Sequence, residues 1–481
     1  AGKSRFWLLG LAVLVLAIGL IYLYPESEPA PASPFERSIA VLPFTSLGED
    51  PADQLFADGL TVELGHVLSQ SGTVRVTGRK STSQFRGSDE DPATIGDALG
   101  VAYLLEGTVR RSGEQLRVVA TLTDTSAGVQ RWSDAYDREM SDVIDIQQDI
   151  ARNVAAQLQL RFNDAPRRPT ENPEAYTLFL KAESLMEYPF GADLPGAQDL
   201  LEEAVNLDPD FSRAWTYLAS AHLRRQIWNE PSYTLSPEQS LAAIRDAVDR
   251  ALAASPEDGM AFAVLAAIAW SIEDDMAKAV RLTERHAELT QWWNAPDTLM
   301  FAADVSRSLR LFDQALTIQS RVLELDPLCN YCRNTYVLTL NAAGRFREAM
   351  EHATLLIQTR PESNLPAYHL GLSQLYAGEF DAAVETFMDI DNPLLRPTGL
   401  AMAYHSLGMT TESDREWTAL QDTIEAYGPS LQLAYAAAWT GREEEAFAIL
   451  DQWVDPPNLR ISIQTSYTTP AFENLRGGYR W

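Results

Sequence analysis

The sequence predicts an α+β protein overall, made of one N-terminal transmembrane helix, a small α/β domain and an all-α solenoid of helical repeats. Three observations lead to this fold class. Residues 6–24 carry no charged side chain, residues 36–163 alternate between strand-like and helix-like patterns, and residues 172–455 are rich in Ala and Leu and punctuated by proline. A chain of 481 residues is long enough for several domains of the usual size.

The first part is the apolar run FWLLGLAVLVLAIGLIYLY, from Phe6 to Tyr24. Its 19 residues would form a helix of about 29 Å, close to the thickness of the hydrocarbon core of a bilayer. Residues 1–24 are therefore predicted to be a cytoplasmic stub and a transmembrane helix. The alternative is a cleaved signal peptide with its cleavage site at residues 30–32. The apolar run is longer than the core of most signal peptides, which favours an uncleaved anchor.

The charges beside this segment predict its orientation. Lys3 and Arg5 precede it, and Glu26 and Glu28 follow it. The positive-inside rule then puts the first residues in the cytoplasm and the rest of the chain outside it. In a bacterium this would be a single-pass inner-membrane protein with the bulk of its chain in the periplasm. The acidic, Pro-rich residues 25–35 are predicted to be an extended linker.

The overall charge excludes one class of function. The chain has 38 Lys and Arg against 67 Asp and Glu, a formal net charge of -29. A surface of this sign repels the phosphates of DNA and RNA. We therefore expect that this part of the chain binds no nucleic acid.

Residues 36–163 are predicted to form the α/β domain. SIAVLPF indicates a buried strand, and the segment after it carries Leu60, Leu64 and Val67 at helical spacing. Alternating apolar residues on both sides of Ser112-Gly113 indicate a β-hairpin. An amphipathic helix in DVIDIQQDIARNVAAQLQL closes the domain.

Residues 172–455 are predicted to be a solenoid of tetratricopeptide-like helix pairs. Prolines at 173, 209, 256, 296, 327, 361, 393 and 429 recur at intervals that scatter around the 34 residues of such a pair. The clearest unit has Gly344 at the turn between its helices, small residues Ala349 and Ala353 at a close helix crossing, and Pro361 at its end. YAGEFDAAVETFMDI repeats this pattern around Gly378. Residues 456–481 are predicted to be an irregular C-terminal tail.

The α/β domain resembles the TolB-like or FlgO-like domain of bacterial membrane signalling proteins. The resemblance lies in SIAVLPF, FADGL, LGVAYLLEGTVRRSG and WSDAYDRE, which occur in the order and spacing of that family. In that family the domain usually precedes tetratricopeptide repeats. The cytoplasmic side of the anchor commonly carries a winged-helix DNA-binding domain, a nucleotide cyclase or a Ser/Thr kinase. Only five residues precede Phe6 here. The chain departs from the family in this respect, so we expect no DNA-binding or catalytic output from it.

Motifs that carry chemistry are missing from the sequence. The six histidines form no metal-ligand spacing, and there is no phosphate-binding Gly-rich loop. There is also no Gly-x-Ser-x-Gly nucleophile turn, which argues against a hydrolase. The sequence therefore predicts that the protein is not an enzyme and has no catalytic, cofactor-binding or metal-binding residues.

Two surfaces are candidates for binding. Tyr331, Asn334, Leu338 and Asn341 occupy the positions of a tetratricopeptide first helix that face the concave groove, where such solenoids bind peptides or proteins. The second candidate is a basic patch for an anionic ligand or an acidic peptide, with charge-paired sheet surface as the more ordinary explanation. Its residues are Arg75, Arg79, Lys80, Arg86, Arg110 and Arg111, with Arg117 on the same hairpin.

The two cysteines, Cys329 and Cys332, lie where a proline ends one repeat helix and the next begins. Two thiolates alone cannot complete a tetrahedral zinc site. Redox Cys-x-x-Cys motifs usually follow a strand, whereas this pair follows a helix. A structural disulfide, which a periplasmic location would permit, and simple packing of two small side chains are therefore both favoured over redox chemistry.

Together these features predict a membrane-anchored periplasmic protein-interaction scaffold, or the sensory module of a signalling system, that binds protein or peptide partners through its repeats. The alternative is the extracytoplasmic part of a transmembrane transcriptional regulator, adenylate cyclase or kinase whose cytoplasmic output domain is missing from this chain. The expected partners are a periplasmic protein or peptide and the inner membrane. Self-association into a homo-oligomer is left open.

Overall fold

The computed structural model describes residues 38–69, 74–159, 168–186, 193–227, 230, 232–273, 275–289, 296–427, 431–454 and 468–477. The segment predicted to span the membrane and the linker after it lie outside these residues. Within the described ranges, every helix is too short or too polar to cross a bilayer.

The N-terminal unit is a mixed sheet with helices on both faces. Its strands follow the spatial order β3-β1-β4-β5-β6, with the short β2 paired to β4. The strands β3, β1 and β4 are parallel, and β4, β5 and β6 form antiparallel hairpins. The elements in chain order are β1 (Ser38–Val41), β2 (Thr45–Ser46), α1 (Pro51–Ser69), β3 (Arg75–Val76), α2 (Arg79–Thr82), α3 (Pro92–Leu99), β4 (Tyr103–Ser112), β5 (Gln115–Asp124), β6 (Val129–Glu139) and α4 (Val143–Gln157).

Alternation along β1 divides the core of this unit into two layers. Ile39 and Val41 point to the layer that α1 and α4 cover. Ala40 and Leu42 point to the opposite layer, which includes Leu99 of α3. A small α/β domain was predicted for residues 36–163, and the described residues of this stretch form a small mixed sheet with helices.

The rest of the described chain is helical and runs as consecutive antiparallel pairs. Gly344 and Gly378 occupy the turns between helices with φ of +75° and +82°, a conformation that glycine adopts without strain. The helices are α5 (Pro173–Met186), α6 (Leu194–Leu207), α7 (Ser212–Ile227), α8 (Pro237–Ala254), α9 (Gly259–Ser271), α10 (Met276–Leu289), α11 (Pro296–Ser308), α12 (Phe312–Leu325), α13 (Asn330–Ala342), α14 (Phe346–Thr359), α15 (Asn364–Tyr376), α16 (Phe380–Met388), α17 (Leu395–Ser406), α18 (Thr410–Tyr427), α19 (Leu431–Trp439) and α20 (Glu443–Val454).

The first helices of successive pairs contact each other and form one layer of the solenoid. This holds for α7 with α9 and, in series, for α13, α15, α17 and α19. Each second helix packs against the first helix of its own pair. This two-layer arrangement is the one that gives helical-repeat proteins a concave inner surface.

The N-terminal unit packs on the solenoid at two separate places. At the first, α1 crosses α5 so closely that a Cβ atom on Gly59 would lie 2.6 Å from the carbonyl carbon of Leu180. At the second, Leu328 of the solenoid packs into the sheet layer that contains Leu42 and Leu99. The sheet domain therefore bridges the first helix pair and the junction before α13.

Candidate protein-binding groove

The four groove residues predicted from the sequence all lie on α13, in the layer of first helices. Tyr331 is 42% exposed, and Asn334 and Leu338 are half-buried. Asn341 is buried, and neither its amide nitrogen nor its amide oxygen has a hydrogen-bond partner among the described residues. A buried amide without hydrogen bonds costs stability, and because both of its polar atoms are buried this amide is not part of the exposed surface of α13.

The next repeat holds one of these residues in place. His369 of α15 donates through Nδ1 to Oδ1 of Asn334, at 2.6 Å. Burial lowers the pKa of His369 to about 4, so the ring is neutral near pH 7 and one ring nitrogen remains an acceptor. The contact fixes the orientation of the Asn334 amide at the seam between two first helices.

Charged residues of both the solenoid and the N-terminal unit lie near Tyr331, at the start of α13. Loss of solvent around the phenol raises the pKa of Tyr331, and the carboxylate of Asp304 adds to this effect. The cations of Arg307 and Lys80 oppose it. Since Arg307 also pairs with Asp304 at 3.0 Å, Tyr331 sits beside a compact set of charges from two repeats and the sheet domain.

The cations of the predicted basic patch lie at several separate places. Ile39 is in register with both Val76 and Tyr103, so Arg75 lies near the start of β4. Arg110 comes seven residues after Tyr103, roughly 23 Å further along the strand. Arg86 pairs with Asp58 at 2.7 Å, and the exposed Arg111 bonds the carbonyl of Gly113.

Arg75 and its neighbours instead belong to a docking contact with the solenoid. Arg75 Nη1 donates to the carbonyl of Glu324 at 2.9 Å, and the N–H of Gly78 donates to the carbonyl of Leu325 at 2.7 Å. Gln84 reaches the carbonyl of Leu328 at 2.7 Å. We call residues 324–328 the docking loop.

Asp326 is the acceptor at the centre of the docking loop. It is buried, and its Oδ1 accepts the N–H of Ser81 at 2.7 Å as well as the hydroxyl of Ser81. The same hydroxyl oxygen accepts the N–H of Leu328 at 2.8 Å. Ser81 and Asp326 therefore satisfy polar groups on both domains within one small buried contact.

The two cysteines directly follow the docking loop. The structure joins Cys329 and Cys332 in a disulfide, and both side chains are buried. Cys329 is also the N-cap residue of α13, where its sulfur accepts the N–H of Cys332. Asp326 and the two sulfurs lie within 4.8 Å of one another, but sulfurs joined in a disulfide are not thiolate ligands for a metal.

Comparisons with known proteins give one sequence relative and several distant structures. No protein-family model matches the chain. A protein of Rhizobium meliloti (strain 1021) named "Putative adenylate cyclase 3" is 30% identical over 231 residues, which are 46% of this chain and 39% of the relative. The chain thus spans well under half the length of that relative, and the TolB-like assignment stays a prediction.

The structural comparisons are remote. The human IFIT1 dimer with PPP-AAAA has a TM-score of 0.38 at 15% identity, covering 66% of this chain and 78% of that one. Yeast Tom70 has a TM-score of 0.34 at 14% identity, covering 67% and 62%. A PelC dodecamer from Paraburkholderia phytofirmans has a TM-score of 0.20 at 20% identity, covering 28% and 95%. At these scores the repeat assignment rests on the helix pairs described above.

One buried site was not predicted from the sequence. Arg213 of α7 donates to Glu63 of α1 at 2.8 Å and lies 3.5 Å from Glu183 of α5. Tyr217 donates to Glu183 at 2.6 Å. These residues form an ionic cluster under the crossing of α1 and α5. The sequence did contain a signal, because Glu63 lies on the same helical face as Leu60, Leu64 and Val67.

The pKa values of the two carboxyls in the ionic cluster are shifted in opposite directions. Burial raises the pKa of Glu183 to about 8, and the charge of Glu63 adds to this effect. Burial alone would raise the pKa of Glu63 too, but the charge and hydrogen bonds of Arg213 outweigh it and lower that pKa. Near pH 7 the cluster therefore holds one carboxylate, one guanidinium and one protonated carboxyl.

Proposed function

We propose that this protein is a non-enzymatic interaction scaffold whose concave groove binds an extended segment of a partner protein. The observation that supports the proposal most directly is one face of α13, a first helix, where the exposed ring of Tyr331 lies with the half-buried side chains of Asn334 and Leu338. Tyr331 and Leu338 supply apolar contact area, and the amide nitrogen of Asn334 is a donor for a peptide carbonyl.

The sheet domain has a defined part in this proposal. Its docking to residues 324–328 brings Lys80 close to Tyr331, so a partner in the groove would contact both domains. Because the described residues Asp304, Arg307 and Lys80 contribute both signs of charge there, a partner segment with a charged residue beside its apolar anchor fits best.

The test is capture of a partner by the full chain from cell extract, with bound proteins identified by mass spectrometry. Tyr331→Ala with Leu338→Ala should reduce capture of the specific partner at least tenfold. The matched control is Leu355→Ala, which removes a 45% exposed apolar side chain from the second helix of the same pair. Equal loss in both variants, or in neither, would overturn the proposal.

The location is a further part of the proposal. We propose that Phe6–Tyr24 anchors the protein in a bacterial inner membrane and that the sheet domain and solenoid lie in the periplasm. The support is the 19-residue uncharged run and the charges on its two sides. Protease added to spheroplasts should digest the repeats, whereas their protection in spheroplasts and digestion only after lysis would contradict the periplasmic location.

A second function is favoured by the sequence relative. In this second candidate function, the chain is the sensory part of a longer signalling protein, and partner binding controls an output domain such as a cyclase. The 30% identity over 231 residues to the Rhizobium meliloti protein supports this candidate. The gene sequence upstream of the Ala1 codon tests it, because an in-frame output domain would favour this function over a free-standing scaffold.

A further inference from the structure

The chain's own C-terminal segment, Thr468–Gly477, lies across the layer of first helices. The hydroxyl of Thr469 is 3.2 Å from the hydroxyl of Tyr376 on α15. The ring of Phe472 packs against the ring of Tyr435 on α19, with centroids 5.1 Å apart. Since α15 and α19 are both first helices, the segment packs against the layer of first helices in the last repeats.

The conformation of the segment places its apolar residues on one side. Pro470–Gly477 is a 3₁₀ helix, in which side chains three residues apart lie directly above one another. Phe472 and Leu475 have this spacing, and they are 0% and 1% exposed. Glu473 between them is exposed. The segment thus presents Phe472 and Leu475 as a pair of anchors.

The surface that receives these anchors is aromatic. Tyr376 and Trp439 lie side by side, with ring centroids 5.5 Å apart, although they come from helices two pairs apart. Phe472 and Leu475 belong to the same buried apolar cluster as Leu375 and Ala437 from those helices. We call Tyr376, Tyr435 and Trp439, with the surface around them, the aromatic end of the groove.

We infer that Thr468–Gly477 is a displaceable internal ligand, and that the aromatic end of the groove binds a partner-protein segment carrying Phe three residues before Leu. This inference rests on the proposed function and specifies the partner. The seated segment shows the chemistry that the surface accepts. The contacts between the two helices of each pair do not involve this segment, so the pairs keep them when it leaves.

A tethered ligand competes strongly with a free one. A short linker gives effective concentrations in the millimolar range, so a free peptide must exceed that range to displace the segment. Removing the anchors from the chain removes the competition. The groove of such a variant should then bind a free copy of the segment.

The experiment uses the full chain and a fluorescent peptide TTPAFENLRG, the sequence of residues 468–477. The Phe472→Ala, Leu475→Ala chain should bind the peptide at least tenfold more tightly than the unaltered chain, by fluorescence anisotropy. Adding Tyr435→Ala should abolish binding, and a peptide with Ala in place of Phe and Leu should not bind. Equal peptide affinity of the variant and the unaltered chain would overturn the inference.

A second measurement covers a variant that does not fold. In a chain that keeps Phe472 and Leu475, a protease site is placed within residues 455–467 and is cut after the chain has folded. The released segment should then exchange for the labelled peptide. Retention of the fragment against excess peptide would overturn the inference, and so would a stable dimer of the uncut chain that exchanges segments between copies.

The outcome is separable from that of the proposed function. Tyr331→Ala with Leu338→Ala alters α13, which is outside the aromatic end of the groove, and should leave peptide binding within twofold. If the peptide fails to bind while partner capture still depends on Tyr331, the proposed function stands and the inference falls.

Discussion

Ser81 of the sheet domain donates its backbone N–H to the buried carboxylate of Asp326 in the solenoid, 245 residues away in the sequence, at 2.7 Å. The carbonyls of Leu325 and Leu328, on the same loop, accept from Gly78 and Gln84. The junction before α13 is therefore bound on one side by the sheet domain and continues on the other into the helix that carries the proposed groove. In the proposed function, partner binding and domain docking would share this junction.

Asp326→Ala should loosen the docking. The change leaves the N–H of Ser81 buried without an acceptor, which costs about 1–3 kcal/mol. We expect a lower free energy of unfolding in urea and faster amide hydrogen exchange at residues 78–84. Asp389→Ala, at an exposed aspartate, is the control. Unchanged exchange at residues 78–84 would contradict the account of this contact.

Two glycines on α1 should respond oppositely to alanine. A Cβ on Gly59 would meet the backbone of Leu180 at 2.6 Å, so Gly59→Ala should destabilise the protein by about 2 kcal/mol or more. The nearest atom to a Cβ on Gly65 is Val76 Cγ1 at 3.9 Å, so Gly65→Ala should stabilise the helix by about 0.5–1 kcal/mol. Chemical denaturation measures both. A similar change in both variants would mean that α1 does not pack on α5 as described.

The ionic cluster makes stability depend on pH through Glu183. Its pKa is about 8 in the folded protein and near 4.5 in the unfolded chain, so the stabilisation from its protonated form is complete below pH 4.5 and is lost as the pH rises towards 8. Glu63, whose pKa is lowered, acts in the opposite sense and loses its contribution only at acidic pH. The cations of Arg213 and Arg79 and the hydrogen bond from the neutral Tyr217 act on Glu183 in the direction of a lower pKa.

Glu183→Gln removes the titrating group but keeps a neutral side chain of the same shape. Relative to the unaltered protein, the variant should gain in free energy of unfolding as the pH rises from 5 to 8. Urea denaturation at several pH values measures the difference between the two proteins. A constant difference across this range would show that Glu183 does not titrate there.

The disulfide should restrain the docking loop. Cys329→Ser with Cys332→Ala removes it while a serine keeps the N-cap of α13. We expect a loss of about 2 kcal/mol, by the entropy of closing so short a loop. Hydrogen exchange should rise at residues 79–84 of the sheet domain more than in α15. Equal exchange at both places would show that the disulfide supports only its own helix.

Local patterns in the sequence were enough for the elements but not for the contacts between them. Leu60, Leu64 and Val67 predicted α1, and Gly344 with Ala349 predicted a helix pair, because periodicity and turn residues act over a few positions. Leu328 carries no such signal, since its partner is a sheet layer formed more than 200 residues earlier. The contact is specified by shape and burial in the folded chain.

The candidate sites also differ in how far local sequence patterns could predict them. Helix periodicity put Tyr331, Asn334, Leu338 and Asn341 on one face of α13. Closeness in sequence suggested a basic patch, but strand length separates Arg75 from Arg110. The tail was predicted to be irregular, whereas Pro470–Gly477 is a short 3₁₀ helix. The single spacing of Phe472 and Leu475 is too short a pattern to predict it.

The central claim is that partners bind α13, the first helix of its pair, and not α14, the second helix of the same pair. A photo-crosslinking amino acid placed at position 331 or at position 355 of the full chain tests this in cells. The account predicts a crosslinked partner from position 331 and none from position 355. A partner crosslinked from position 355 alone would contradict it.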